Sequence, residues 1–185
     1  MDGNKQKDLV SIHVKWFEAY INESDINIRI NDIANWLRIE YSNKIPIFLS
    51  ILNGSVFFAA DIIRKFDQEC EISFIKLQSY EGTHSVGKVT ELIGLNHDIT
   101  GRDVVILEDI IDSGLTIKSL IEILERETPN SVRIVTLLDK PAGRKTEVRI
   151  DMVGFTIENK FVIGYGLDYD QLGRNLKCIY QEKLT

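Results

Sequence analysis

Apolar residues near the start of the chain recur every three or four positions, which is the period of a helix. A first helix is therefore predicted over residues 10–21, with its apolar positions at Val10, Val14, Phe17 and Ile21. A second helix is predicted to begin at Ser24 or Asp25, because either side chain can cap a first turn.

Apolar runs and helical segments then alternate along the chain. Strands are predicted at 45–52, 71–80, 103–108 and 131–139, and helices at 56–66 and 116–127. Continuous apolar runs such as IPIFLSIL are typical of parallel strands that are covered on both faces. The last strand, helix and strand form a βαβ unit with an expected right-handed crossover. We therefore expect an α/β fold, a twisted parallel sheet flanked by helices.

The 185 residues are expected to form one domain, since no repeat, low-complexity stretch or linker interrupts them. The core is placed at roughly residues 40–140. The segment from Lys140 onward, with or without the N-terminal segment, is expected to form a small hood lobe over the sheet.

Three predicted loops follow strands, at 53–55, 109–115 and 140–144. Ligands of open α/β sheets bind outside the carboxyl ends of the strands, so we expect these loops to meet at one rim. The segment EGTHSVGK at 81–88 is too polar to pack and too long for a tight hairpin. It is predicted to be a mobile loop.

Composition narrows the function classes. A formal net charge of -6 argues against broad, phosphate-driven binding of nucleic acid, which needs a basic face. Cys70 and Cys178 lie far apart and in no metal-like spacing, which indicates a reduced, cytoplasmic protein. The N-terminus has no apolar core for a secretory signal. The longest apolar run is interrupted by Pro46 and by the turn residues Asn53 and Gly54, so no membrane span is expected.

An acidic turn, VVILEDIIDSGLT at 104–116, carries Glu108, Asp109 and Asp112. Asp112 alone is explained equally well as a helix N-cap, which stabilises a helix by ~1 kcal/mol. An N-cap role does not explain Glu108 and Asp109. Adjacent carboxylates after a buried strand repel each other unless a cation, sugar hydroxyls or a protonated base neutralises them. The backbone amides of 112–116 open a helix and suit a phosphate. A sugar phosphate would satisfy both features, with its phosphate on the amides and its hydroxyls on the carboxylates.

The segment VVILEDIIDSGLT resembles the phosphoribosyl-diphosphate signature of type I phosphoribosyltransferases, in which a hydrophobic strand precedes two acidic residues and a D-[ST]-G-x-T loop. Further segments resemble the 6-oxopurine branch, the hypoxanthine-guanine phosphoribosyltransferases, so that the resemblance covers most of 45–180. They are LNG at 52–54, SYEG at 79–82, LLDK at 137–140 and KFVIGYGLDYDQLGR at 160–174.

The resemblance implies the type I phosphoribosyltransferase fold and an Mg²⁺-dependent reaction of purine salvage. In that reaction the 5-phosphoribosyl group passes from phosphoribosyl diphosphate to hypoxanthine or guanine, and IMP or GMP and pyrophosphate are formed. The implied partners are these small molecules, with no nucleic acid and no membrane. Family members are commonly dimers or tetramers, so a homo-oligomer is expected.

The resemblance also implies the roles of the acidic turn. Asp112 would be the catalytic acid/base at purine N7, and Glu108 and Asp109 would bind the ribose hydroxyls. The phosphoribosyl diphosphate and its 5′-phosphate would be held by these three residues with the loop that follows them, Ser113, Gly114, Leu115 and Thr116. Magnesium would be held by Glu108, Asp109 and Asp168.

For the purine, the resemblance implies a bond from Lys140 to O6, stacking on Phe161 and a contact with the Val162 carbonyl. Without the resemblance, Lys140 would be interpreted as a solvated loop lysine and Phe161 as a core aromatic. Pyrophosphate would be bound by the amides of Leu52, Asn53 and Gly54 and by Arg174.

Two details of the resemblance concern loops. The Leu52–Asn53 bond can be a cis peptide in this family, and many relatives have a basic residue where this chain has Asn53. Ser79 and Tyr80 match the beginning of a loop that closes over the site and excludes water.

Without the resemblance, Asp168 would be explained as a turn former and Arg174 as a surface charge.

Several alternatives stay open at this point. Lys140 and the KFVIGYGLDY stretch oppose adenine or a pyrimidine as substrate, but they do not exclude xanthine. A type I fold reused as an RNA-binding regulator would need a basic face, which the acidic balance opposes. A sugar-phosphate-binding module without turnover is disfavoured because Asp112 and Asp168 are both present. The sequence does not set the preference between hypoxanthine and guanine.

Overall fold

A computed structural model describes residues 9–79, 89–93 and 98–183. The elements along the chain are β1 (Leu9–Ile12), β2 (Lys15–Ile21), α1 (Glu23–Glu40), β3 (Ile47–Ile51), α2 (Val56–Phe66), β4 (Glu71–Ser79), β5 (Val89–Ile93), β6 (Asp103–Ile111), α3 (Leu115–Glu125), β7 (Ser131–Asp139), β8 (Met152–Thr156), β9 (Val162–Ile163) and β10 (Ile179–Glu182). A short 3-10 helix spans Pro141–Gly143.

The central sheet has the strand order β5-β4-β3-β6-β7-β8. Strands β4, β3, β6, β7 and β8 run parallel, and β5 is antiparallel to β4 at one edge. The predicted parallel sheet is therefore confirmed. Because β8 belongs to this sheet, the central layer extends past the expected core of residues 40–140.

Alternate residues of the buried strands enter two hydrophobic layers. Phe48, Val105 and Leu107 pack on the face that is covered by α1 and α2. Leu49 and Ile106 pack on the opposite face, which α3 covers. Both faces of β3 are covered, so every residue of this strand is buried and four of the five are apolar. The exception, Ser50, shares a hydrogen bond of 2.7 Å with Ser55 Oγ.

The N-terminal helix predicted over residues 10–21 is wrong. This segment is the hairpin of β1 and β2, which pair antiparallel around a turn at His13, where φ is 52°. Only Phe17 and Ile21 of the expected apolar face are buried, whereas Val14 is 89% exposed. Strand β10 pairs with β2 and supplies the hydrogen bonds that an isolated segment lacks. Tertiary pairing thus overrides a helical spacing of apolar residues.

A second sheet has the order β1-β2-β10-β9 and joins the two ends of the described chain. Its small core includes Phe17, Ile163, Cys178 and Tyr180. The first helix after the hairpin, α1, begins at Glu23 and is capped by Asn22, whose side chain accepts a bond from Asp25 N–H. The predicted start at Ser24 or Asp25 is therefore late, because the asparagine amide is the capping group.

Within the described ranges, no helix is both long and apolar enough to cross a membrane. The predicted mobile loop at 81–88 lies outside the described residues.

Candidate active site

Three loops meet at the carboxyl ends of the parallel strands, as predicted. A Cβ atom on Gly54 would overlap with the Asp109 carboxylate, and one on Gly143 would overlap with Asp112 Oδ1. Lys140 Nζ lies 2.8 Å from Asp112 Oδ2. The loops at 53–55, 109–115 and 140–144 therefore form one continuous rim.

Glu108 and Asp109 lie within strand β6 and not after its end. The strand continues to Ile111, since Ile110 pairs with Leu138 and Ile111 with Asp139 of β7. The predicted strand end at 108 is therefore wrong, because β7 continues to offer hydrogen bonds up to Asp139. The sheet itself thus holds the two carboxylates.

The burial of this acidic pair raises the pKa of both side chains. Glu108 is 8% exposed, and its Oε2 has no hydrogen-bond partner among the described residues. Burial, and then the charge of Asp109, raises the pKa of Glu108 well above its usual value. Burial raises the pKa of Asp109 to about 6, against the opposing effects of backbone N–H bonds and Arg174. Such carboxylates suit hydroxyl donors or a cation.

The loop of residues 112–116 opens helix α3. The N-cap position belongs to Gly114, with a φ of 81°, and no side chain caps the helix. The interpretation of Asp112 as an N-cap is therefore wrong. Ser113 Oγ accepts a bond of 3.4 Å from Leu115 N–H, and Thr116 follows in the first turn. The amides of a helix N-terminus favour a phosphate.

Asp112 and Lys140 form a close ion pair across the rim. The Lys140 side chain is 8% exposed, whereas that of Asp112 is 50% exposed. Lys140 is therefore not a solvated loop lysine. Its backbone N–H donates to Ile111 O at 3.0 Å, which places the residue beside the end of β6.

Asp168 and Arg174 form an ion pair beside a turn that packs against the loop of residues 52–54. Arg174 Nη2 lies 2.7 Å from Asp168 Oδ1, and Arg174 Nη1 donates to Gly166 O at 2.7 Å. A Cβ atom on Gly166 would overlap with Gly54 O, so the turn packs against the loop backbone. The predicted cis peptide bond between Leu52 and Asn53 is present.

Asp168 also has the local role expected of a turn former, because its Oδ2 accepts a bond of 2.8 Å from Gln171 N–H. Arg174 is not a freely solvated surface charge, since only 22% of its side chain is exposed. The Asn53 residue is exposed on the rim.

Val162 is the first residue of β9 in the second sheet, and Phe161 directly precedes it. Phe161 is 42% exposed, so it is not the core aromatic that its strand position alone would suggest. Its ring contacts Tyr169 edge-on at 5.7 Å between centroids, and Lys15 Nζ lies 5.2 Å from its centroid. Val162 is buried and pairs with Gln181 of β10. An exposed ring supported from behind can stack on a planar ligand.

A family model for the phosphoribosyl transferase domain matches residues 18–170. The chain belongs to the phosphoribosyltransferases. It is 45% identical to the hypoxanthine-guanine phosphoribosyltransferase of Lactococcus lactis over 163 residues, which are 88% of each chain. It is 41% identical to the hypoxanthine-guanine-xanthine phosphoribosyltransferase of Tritrichomonas foetus over 159 residues, 85% of this chain and 87% of that one.

Solved structures of this family share the fold. A crystal structure of a hypoxanthine phosphoribosyltransferase from Staphylococcus aureus superposes with a TM-score of 0.86 and 39% identity, covering 90% of this chain and 91% of that one. The predicted type I phosphoribosyltransferase fold is thereby confirmed. The chain spans about a quarter (26%) of the length of the bifunctional TilS/HprT proteins of Listeria, to which it is 40% identical over 170 residues.

Some contacts of this phosphoribosyltransferase site had no signal in the sequence. Tyr165 Oη donates to Asp61 Oδ2 at 2.5 Å, which ties the turn before Asp168 to helix α2. Lys15 reaches Phe161 from the hairpin that was predicted as a helix. Arg144 lies within the predicted rim loop, but the sequence does not indicate which residues its side chain bonds to.

The closing-loop prediction lies almost wholly outside the described residues. Ser79 ends β4 and pairs with Val89 of β5, and Tyr80 is not described.

The acidic side chains fit a cation that is shared with a substrate. Among the described residues, no three His, Cys, Asp or Glu side chains are grouped so as to hold a metal alone. Glu108 nevertheless has an unpartnered buried oxygen, and the charge of Asp168 is close enough to raise the pKa of Asp109. Carboxylate oxygens in small number are the donors that Mg²⁺ accepts when substrate oxygens and water complete its shell.

Proposed function

We propose that this phosphoribosyltransferase transfers the 5-phosphoribosyl group of phosphoribosyl diphosphate to hypoxanthine or guanine, giving IMP or GMP and pyrophosphate. The single observation that carries the proposal is the ion pair beside the N-terminus of α3, in which Lys140 Nζ lies 2.8 Å from Asp112 Oδ2. An acid/base group and a hydrogen-bond donor then lie next to a phosphate-binding loop. The names of the related enzymes support the same activity.

The sugar phosphate is assigned to β6 and the loop that follows it. The 5′-phosphate accepts bonds from the amides of residues 113–116 at the start of α3, and the side chains of Ser113 and Thr116 add donors. The ribose hydroxyls donate to Glu108 and Asp109. These bonds replace the hydration that both carboxylates lose on burial, which is why a buried acidic pair suits a sugar.

Lys140 selects the base. Its ammonium group carries only donors, so it pairs with the O6 atom of hypoxanthine or guanine and not with the 6-amino group of adenine. The exposed ring of Phe161 would stack on the purine, and the Val162 carbonyl would accept a bond from the base edge. Asp112 takes the proton from purine N7 as N9 bonds to the anomeric carbon and the bond to pyrophosphate breaks.

Pyrophosphate leaves towards the loop of residues 52–54 and Arg174. The backbone amides of Leu52, Asn53 and Gly54 offer donors, and the arginine offers a charged fork for diphosphate oxygens. Mg²⁺, when bound, neutralises the negative charge that grows on the leaving pyrophosphate. Glu108, Asp109 and Asp168 would hold it, which the unpartnered Oε2 of Glu108 and the repulsion between Asp168 and Asp109 support.

The cellular setting follows as part of the proposal. Cys70 and Cys178 form no disulfide, which supports a reducing compartment and thus the cytoplasm. The substrates are small molecules, and we expect the chain to form homo-oligomers.

Xanthine is the second candidate base. The observation that favours it is the Tritrichomonas foetus relative, whose name includes xanthine and which is 41% identical. Xanthine also carries O6, so Lys140 does not oppose it.

A base panel tests both candidates. The purified protein, phosphoribosyl diphosphate and Mg²⁺ are mixed with hypoxanthine, guanine, xanthine, adenine or orotate, and nucleotide formation is followed by ultraviolet absorbance. Turnover of hypoxanthine or guanine is expected. Turnover of adenine alone, or of orotate, would overturn the proposal, and equal turnover of xanthine would extend it.

A further inference from the structure

Arg144 links the two loops that carry Asp112 and Lys140. Its Nη1 donates to the backbone oxygen of Asp112 at 3.0 Å, and its Nη2 pairs closely with Asp139 Oδ1. Asp139 is the last residue of β7 and directly precedes Lys140. One guanidinium group therefore bridges the first residue of the phosphate loop and the base of the lysine loop.

Backbone bonds hold the same segment in place around this bridge. Lys145 N–H donates to Ser113 O at 2.9 Å, and Thr146 N–H donates to the same oxygen at 3.3 Å. Because these bonds do not involve the guanidinium, removal of the Arg144 side chain should leave the path of the chain largely intact. What the side chain adds is a connection to the backbone of Asp112 itself.

The bridge needs an arginine for a geometric reason. The guanidinium has several N–H groups in a rigid plane, so two of them can bond to separate acceptors at once. Only 18% of the Arg144 side chain and 14% of the Asp139 side chain are exposed, so water screens their attraction weakly. A lysine at this position carries a single nitrogen at the end of a flexible stem and cannot span both acceptors in the same way.

We propose that Arg144 is a positioning residue, which keeps Asp112 at the correct place relative to Lys140 and the purine. The inference rests on the proposed function, since it concerns the acid/base group of that reaction. Arg144 acts through the backbone of Asp112 and through Asp139, and not on the substrate. A small displacement of a reacting group is enough to cost about 10²-fold in rate.

Two other roles for Arg144 make different predictions. An arginine that bound the 5′-phosphate would affect mainly the KM for phosphoribosyl diphosphate. An arginine that only stabilised the fold would lower the thermal midpoint without changing the kinetics of the folded enzyme. A positioning residue instead lowers kcat and leaves the KM for phosphoribosyl diphosphate within about twofold.

The kinetic test uses Arg144→Met and Arg144→Lys, with Arg149→Met as a matched control. Arg149 lies in the same segment, and its side chain is 85% exposed. Both Arg144 variants are expected to lose about 10- to 100-fold in kcat for hypoxanthine, and the control is expected to keep wild-type kinetics. Recovery of kcat in Arg144→Lys would show that charge alone suffices and would overturn the bridge. A rise only in the KM for phosphoribosyl diphosphate would also overturn it.

A double-mutant cycle with Asp112→Asn decides whether Arg144 acts through Asp112. If it does, Arg144→Met should cost less than about threefold in kcat when Asp112 is already replaced. The same loss in both backgrounds would show independent action and would refute the positioning role. The two proposals can be refuted separately. If the proposed function is wrong, the wild-type protein will not turn over 6-oxopurines. If only the role of Arg144 is wrong, the wild-type enzyme will be active and the Arg144 variants will not show the expected loss of kcat.

Discussion

Asp112 and Lys140 are joined by an ion pair of 2.8 Å that links the loop after β6 to the end of β7. The lysine is almost wholly buried, and the aspartate stays half-exposed at the rim. A buried ammonium group needs a permanent acceptor, and Asp112 supplies one before any ligand is present. The pair thus holds Lys140 within the site where the purine O6 is proposed to bind.

Replacement of Asp112 by Asn should keep the fold and lower the rate. The amide oxygen still accepts a bond from Lys140, but an amide cannot take the proton from purine N7. We expect kcat to fall by about 10²- to 10⁴-fold, the usual contribution of a general acid/base. Steady-state kinetics with hypoxanthine provide the measurement, with KM values near those of the wild type. Asp32→Asn, on the exposed surface of α1, is the control, and near-normal kcat in Asp112→Asn would remove Asp112 from the mechanism.

Replacement of Lys140 by Gln should weaken the selection of 6-oxopurines. A glutamine amide can donate to O6 but can also accept from a 6-amino group, and it loses the charge. We expect kcat/KM for hypoxanthine to fall about 10- to 100-fold, as for the loss of a charged hydrogen bond, while adenine gains relative to it. The ratio of the two kcat/KM values is the readout, and Lys145→Gln, an exposed neighbour, is the control. An unchanged ratio would contradict the assigned role.

Two glycines at the rim allow a steric test of the two carboxylate positions. A Cβ atom on Gly143 would displace the Asp112 carboxylate, and one on Gly54 would displace that of Asp109. Because both obstacles are ends of side chains, Gly143→Ala and Gly54→Ala should still fold.

The two glycine variants are expected to differ in kinetics. Gly143→Ala should mainly lower kcat through Asp112, and Gly54→Ala should mainly raise the KM for phosphoribosyl diphosphate through Asp109. A loss of about tenfold or more in the stated parameter is expected, since displaced groups cost this much. Each variant is the control for the other, and identical kinetic profiles would argue against separate roles.

The acidic pair should make the ligand-free protein less stable as pH rises. Burial raises the pKa of Asp109 from 3.8 to about 6 and raises that of Glu108 as well. Between the unfolded and folded pKa values, the unfolded chain has released a proton that the folded chain still holds. Folding therefore loses stability as pH rises from about 4 to above about 6, and it does not regain it at higher pH.

Asp109→Asn tests this linkage, because the amide has nearly the same shape and does not ionise. Its thermal midpoint without ligand should exceed that of the wild type at about pH 8, and the difference should shrink towards about pH 5. Thermal unfolding across this range measures the effect. A difference that is constant with pH would show that Asp109 ionises in the folded protein as it does in the unfolded chain.

Much of the central sheet could be predicted from local pattern alone. Helix α2 and strand β7 have the predicted bounds, because a helical period with a buried face and an apolar run ended by charges are both local signals. The N-terminal hairpin could not be predicted, since its hydrogen bonds depend on β10, more than a hundred residues later in the chain. The length of β6 was likewise underestimated, because its final residues depend on β7.

The sequence by itself determined the chemistry of the candidate site. The order of acidic, small and hydroxyl residues in VVILEDIIDSGLT specifies what each position can donate or accept, and this does not depend on the neighbours. Tertiary structure decided the pairings. Lys140 with Asp112, Tyr165 with Asp61, and Arg144 with Asp139 are set by the sheet and by the loops that it brings together. Hydrogen bonds and ion pairs act over a few ångströms in space, and separation along the chain does not reveal which groups will come that close.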